Sequence, residues 1–385
     1  MQYLRTILIA LVCCGSLLTA QPGESPLRTF GYFQNQFEHV TGREDGVGPY
    51  NSFLMQQLNL FFQKNLARDW SAFVNFELLN SYSSSRQWGG INLEEAWVKY
   101  RSSKQFNLKI GLQIPLFNNL NAIKNRTPLL PYIVRPLVYE SSFNEDIPLE
   151  EYVPQQAFVQ VYGFIPSGKI KIEHAVYLGN SPNINNNSNY GQTGVDTTDN
   201  FLVGGRLGIR YDELRAGISG TYEKTNFFET LGRFLQLPVS DFRDLPRYRL
   251  GSDLSFRSRK LFLEAEYIDV MYEEGLEAYE LDKTFYYGTM GWYFSEQLLV
   301  YGTYWDIHQN EVIILDTGQR RLYNYREIVQ VAGAGFSYNL NDRIALKGQY
   351  GYVDIQLEIP PAPELSNILD RFDYQVFTCA VSIIF

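Results

Sequence analysis

The feature that most constrains this chain is a two-residue alternation of apolar and polar side chains, repeated between connections that are alternately short and long. Successive side chains of a strand project to opposite faces, so alternation marks a strand with one apolar and one polar side. Over 106–114, Leu108, Ile110, Leu112 and Ile114 share one face, with Lys109, Gly111 and Gln113 on the other. Over 201–211, Phe201, Val203, Leu207, Ile209 and Tyr211 oppose Gly204, Arg206, Gly208 and Arg210. Over 343–352, Ile344, Leu346, Tyr350 and Tyr352 oppose Arg343, Lys347 and Gln349. A soluble sandwich also alternates, but it has no reason to gather arginines against a continuous apolar band.

Short turns fall at 65–69, 101–105, 164–168, 212–213, 258–259, 295–297 and 341–342. Between them stand longer polar loops at 39–51, 81–90, 115–155, 179–199, 225–246, 271–282, 308–325 and 357–370. Marking strands by both signals gives about 16, including 298–307 and 326–340, an even number as single-chain bacterial barrels require. The expected fold is all-β: a closed antiparallel transmembrane β-barrel with short periplasmic turns and long external loops. The last strand, 371–385, ends on Phe385, where an open sheet would expose an apolar edge.

The first 20 residues read as a cleaved secretory signal peptide: Arg5 is basic, 7–18 are mainly apolar, and Leu18-Thr19-Ala20 is a small-residue cleavage site. The barrel domain is then 21–385, exported to the outer membrane and embedded in its lipid. The formal charge of −9 argues against nucleic acid as a partner. Of the three cysteines, Cys13 and Cys14 leave with the signal peptide, so no disulfide forms within the chain.

Projecting the alternation inward gives a charge map of the lumen. The segment 200–224 contributes Arg206, Arg210 and Arg215, and 247–257 contributes Arg247, Arg249 and Arg257. Lys109, Lys171, Arg343 and Lys347 extend this basic lining. The acidic counterparts are Glu264 and Glu266, with Glu77, Glu95 and Glu173 on earlier strands. Opposed charges make a transverse field that filters solutes by charge without tight binding. The competing reading is that neighbouring Arg and Glu pair to stiffen the wall.

The stretch EEAWVKYRSSKQFNLKIGLQIPLFN, with landmarks Glu95, Ala96, Trp97, Tyr100, Leu108, Gly111, Pro115 and Phe117, resembles the Gram-negative outer-membrane porins. It is most similar to the phosphate-selective porin O/P group. The resemblance implies a water-filled barrel, commonly a homotrimer, whose third external loop folds into the lumen and narrows it. By order that loop is 115–155, and its charged residues would line the constriction. They are Lys124, Arg126 and Arg135 alongside Glu140, Glu145 and Asp146. Anion-specific members carry repeated basic residues there, so this mixture argues against phosphate specificity.

The function expected is passive diffusion of small polar or charged solutes, with weak anion preference and no cofactor or metal. Two alternatives remain: a channel specific for phosphate or a sugar, and an outer-membrane hydrolase. The hydrolase reading has little to work with. There are only three histidines, His39, His174 and His308, no G-x-S-x-G elbow and no H-E-x-x-H. Aromatic residues in the third loop, Phe117, Tyr132 and Tyr139 among them, either form a stacking slide for sugars or pack the loop against the wall.

Overall fold

The computed structural model describes residues 25–42, 48–79, 90–123, 126–139, 156–181, 200–225, 245–272, 282–316, 320–362, 365 and 368–385. The segment read as a signal peptide lies outside them. The first eight strands are β1 (Arg28–Val40), β2 (Tyr50–Asn65), β3 (Trp70–Leu79), β4 (Gly90–Arg101), β5 (Asn107–Gln113), β6 (Gln156–Ser167), β7 (Ile170–Asn180) and β8 (Phe201–Tyr211). The second eight are β9 (Leu214–Thr225), β10 (Leu245–Arg257), β11 (Leu261–Tyr272), β12 (Lys283–Tyr293), β13 (Leu298–Asp316), β14 (Arg320–Asn341), β15 (Ile344–Glu358) and β16 (Arg371–Ile384). Each pairs antiparallel with its sequence neighbours, and β1 pairs with β16, closing a barrel of 16 strands. The seam runs from Tyr32 opposite Ile384 to Val40 opposite Val376. Phe385 extends it by exchanging backbone hydrogen bonds of 2.9 and 3.0 Å with Gly31.

Closure follows from the alternation. One face carries exposed apolar side chains such as Ile110, Leu207, Ile209, Ile218 and Met290, a surface suited to lipid. Hydrocarbon offers no partner for an unpaired N–H or C=O, so a sheet bearing that face is stable there only without edges. Strand register then aligns the inward positions in rows: Lys171 stands opposite Arg210, and Ala175 opposite Arg206. Gly111, inward on β5, has φ +132, and a Cβ there would lie 2.3 Å from the Ala96 carbonyl oxygen. Only glycine takes that conformation readily, just before the wall ends at Pro115.

The structure departs from the sequence expectations at four places. The described residues of the stretch 308–325 are strand rather than loop: β13 and β14 stay paired as far as Asp316 opposite Arg320. The segment is rich in β-branched and aromatic residues, which favour extended backbone. A bulge sets Asn75 opposite Glu95 but Phe76 opposite Leu93, so Glu94 and Glu95 are both 5% exposed. Arg343 is exposed in the turn between β14 and β15 rather than on a strand. Asn341 Oδ1 makes that turn by accepting the N–H groups of Arg343 and Ile344, at 2.8 and 2.9 Å.

The fourth departure is the largest. Many inward positions on β11 to β15 are apolar: Phe262, Ile268, Phe285, Tyr301, Trp305 and Val331 are all buried. The inner face of this half of the wall thus mixes large apolar side chains with a few polar ones, which the alternation rule alone does not anticipate. What covers part of the inner face is the third loop.

Leu207, outward and 54% exposed near the middle of β8, tests the assignment of faces. Leu207→Arg is expected to lower the unfolding free energy in lipid by about 2–4 kcal/mol, the range for a cation near the bilayer midplane. Denaturant titration of vesicle-reconstituted protein measures it; an effect near zero would mean that the face is not lipid-exposed.

Candidate functional site

The described part of the third loop, 114–123 and 126–139, lies inside the barrel and is held from two stretches of the wall. On one of them Glu266 Oε1 accepts the N–H groups of Asn119 and Leu120 at 2.9 and 2.6 Å, and Oε2 accepts the Tyr139 hydroxyl at 2.7 Å. Glu264 Oε1 accepts the Tyr132 hydroxyl at 3.0 Å. Ser219 Oγ takes the Asn118 N–H at 2.9 Å. Asn118 fits closely because β10 has Gly251 there, where a Cβ would stand 2.4 Å from Asn118 Oδ1.

On the other stretch Lys347 Nζ donates to the carbonyl oxygens of Thr127, Pro128 and Tyr132 at 2.9, 3.2 and 3.3 Å. Gln349 Oε1 accepts the N–H groups of Ile133 and Val134 at 2.8 and 2.9 Å, while its Nε2 donates 3.0 Å to the Val134 carbonyl. Between these anchors Phe117, Leu120, Tyr132 and Ile133 are fully buried. The loop aromatics therefore pack, with Tyr132 at 5.5 Å, edge-on, from Tyr301. Burial first, and the neighbouring Glu264 and Glu266 second, push the phenols of Tyr132 and Tyr139 well above the usual tyrosine range. Both stay protonated donors at any physiological pH.

These anchors revise the charge map. Glu264, Glu266 and Lys347 point inward as expected, yet they are 5%, 4% and 3% exposed because the loop covers them. They hold the constriction rather than face water. Arg247 and Arg249 are likewise inward but fully buried, both bound to Glu223. Arg257 is exposed, 5.1 Å from the Phe262 ring centroid.

The remaining charges gather on β3 to β10. Glu173 is the hub of one cluster, 2.7 Å from Arg215, 3.3 Å from Arg206 and 3.9 Å from Arg210. Arg206 also makes a two-pronged contact with Asp253 at 2.7 and 3.1 Å. Arg215 reaches the loop through Asn119 Oδ1 at 2.5 Å. Nearer β4, Glu95 lies 3.7 Å from Lys109 and 3.8 Å from Arg126. Lys109 also stands 4.6 Å from the Trp97 ring centroid. Glu77 accepts a 2.7 Å hydrogen bond from Gln57. Lys171 is exposed, 5.6 Å from the Phe164 ring centroid, and Arg135 is buried. Of the expected constriction residues, Lys124, Glu140, Glu145 and Asp146 lie outside the described residues. The histidines all project from the outer face: His174 opposite Leu207, His39 opposite Phe377 and His308 opposite Ile328.

Several inward carboxylates are absent from the sequence map, Asp253, Glu223 and Glu94 among them. Asp253 and Glu223 share the inward parity of the arginines beside them, so continuing the alternation finds both. Glu94 is inward only because of the bulge, which no local pattern announces.

No protein-family profile and no curated protein sequence matches the chain. Solved structures do. An anion-selective porin from Comamonas acidovorans superimposes with a TM-score of 0.59 at 11% identity, covering 94% of this chain and 100% of that one. The chain has the fold of Gram-negative outer-membrane porins. OprB of Pseudomonas putida gives 0.59 at 10% identity, over 93% of this chain and 94% of its own. The trimer form of OmpT, an outer membrane protein of Vibrio cholerae, gives 0.53 at 9% identity, over 94% and 100%. At such identities the likeness is one of porin architecture, and the residues of the lumen are this chain's own.

If Glu266 anchors the loop, Glu266→Ala strands a buried N–H group, a part-buried one and a buried phenol. Its expected cost is about 3 kcal/mol of unfolding free energy, with larger and noisier single-channel currents. Arg257→Gln, clear of the loop's hydrogen bonds, should stay within about 0.5 kcal/mol. Equal effects of the two substitutions in denaturant titrations would show that Glu266 is no anchor.

Proposed function

We propose that the protein is an outer-membrane porin, exported through cleavage after Ala20, that passes small polar or charged solutes by passive diffusion with a weak preference for anions. The observation that carries the anion preference is an asymmetry within the lumen's ion pairs. Arg126 is 40% exposed against 7% for Glu95, and Arg210 is 46% exposed against 19% for Glu173. Arg215 follows at 25% against the same 19%. Arg206 is the exception, buried at 3%. Water in the lumen thus meets guanidinium groups more than carboxylates, although the chain as a whole is acidic. A field set by groups at the water surface raises the local concentration of counter-ions, so net charge is the poorer guide. We further propose a homotrimer, the assembly named for the Vibrio cholerae relative.

Reversal potentials in a salt gradient across planar bilayers test this reading. Chloride is expected to exceed potassium permeability by a few-fold. Arg210→Glu, at an exposed lumen position, should move the potential toward cations. Cation preference in the unaltered protein would overturn the anion assignment, and well-folded protein without step-like conductance would overturn the porin assignment.

A further inference from the structure

The short-turn end of the lumen holds a cavity of about 530 Å³ between the turn joining β4 to β5 and the inward faces of β6 to β9. Leu116, at the start of the third loop, contributes to its wall and is tied there by its N–H, which donates 3.0 Å to Gln160 Oε1. The volume falls within the roughly 300–1,000 Å³ of small-molecule sites.

Its walls are of two kinds. Arg101 and Lys104 face it from the turn, and Arg206 and Arg215 from β8 and β9. Glu173 is the carboxylate on the same wall, and its charge is already shared among Arg206, Arg210 and Arg215. Among the described residues neither Arg101 nor Lys104 makes an ion pair, so two cations at this cavity lack a countercharge. The rest of the lining includes Leu116, Tyr162, Phe164 and Ala175, which supply apolar surface beside those cations.

This combination is selective in chemical terms. An inorganic anion answers the cations but leaves the apolar wall wet. A neutral aromatic covers that wall but leaves the cations without a partner. A compact anion carrying one apolar ring satisfies both, since a carboxylate takes charge-assisted hydrogen bonds from Arg and Lys while the ring removes apolar surface from water. We propose that the cavity is a binding subsite for small aromatic monocarboxylates, with the carboxylate toward Arg101 and Lys104 and the ring against Leu116 and Phe164. The subsite depends on the porin reading only for the route by which the solute arrives.

Calorimetric titration of the full-length, detergent-solubilised protein with benzoate, acetate and benzyl alcohol tests the proposal without requiring conduction. Benzoate is expected to bind about tenfold more tightly than either of the others, which each lack one half of the match. The double variant Arg101→Gln/Lys104→Gln, altered only at exposed positions at the end of β4 and in the turn after it, should lose that tenfold while keeping the circular dichroism of the folded barrel. Arg68→Gln, on the turn between β2 and β3, should leave binding unchanged. Benzoate binding no tighter than acetate, or surviving the double substitution, would overturn the subsite. Calorimetric binding by a protein with no conductance would uphold the subsite and remove the porin reading; conductance without benzoate binding would do the reverse.

Discussion

A strand in hydrocarbon finds no water for its backbone, and every other feature of this protein is arranged around that constraint. The seam between β1 and β16, extended by Phe385 against Gly31, converts a sheet with two costly edges into a closed wall. Once closed, the wall has an inside. The inward positions of each strand are then brought into rows by the register, and residues more than a hundred positions apart in sequence come into contact. Asn118 against Ser219 and Lys347 against Thr127 are contacts of this kind. They have no counterpart in an open sheet.

The third loop divides that inside into two unlike halves. Toward β11 to β15 it packs Phe117, Leu120, Tyr132 and Ile133 with inward aromatics, making a dry core within the lumen. Toward β3 to β10 the wall keeps its ion pairs. Glu266 and Lys347 belong by charge to the second half, but both serve the first. Each is buried, and each is surrounded by hydrogen-bonding partners supplied by the loop. A buried charge is tolerated when its hydrogen-bonding capacity is met. Removing the loop's backbone groups would leave these charges exposed to water or stranded, so loop and wall stabilise one another.

Much of this architecture was legible in the sequence because it rests on local pattern. Alternation at Leu108 to Ile114 and Phe201 to Tyr211 identified the lipid face, and the rhythm of short and long connections supported closure. The inward placement of Arg206, Arg210, Arg215, Glu173 and Glu95 follows from parity along one strand. Parity cannot say what stands in front of a side chain. Glu264 and Glu173 look alike along their strands, yet one is covered by the loop and the other lies beside an open cavity. The bulge at Glu94 is lost for a related reason: one extra residue leaves the local pattern readable in two ways until the partner strand chooses between them.

By itself the sequence determined the all-β barrel, its approximate strand number and the direction of most strand side chains, properties set by spacing along the chain, while the place of the inner loop came from the porin resemblance. Tertiary structure alone decided which inward charges meet water. That choice depends on where Glu266, Lys347 and Gln349 clamp the loop, and so on distances between residues that share no local pattern. The same clamping leaves Arg101, Lys104, Lys171 and Arg210 among the exposed cations, because most of the loop's apolar side chains pack toward the aromatic half of the wall.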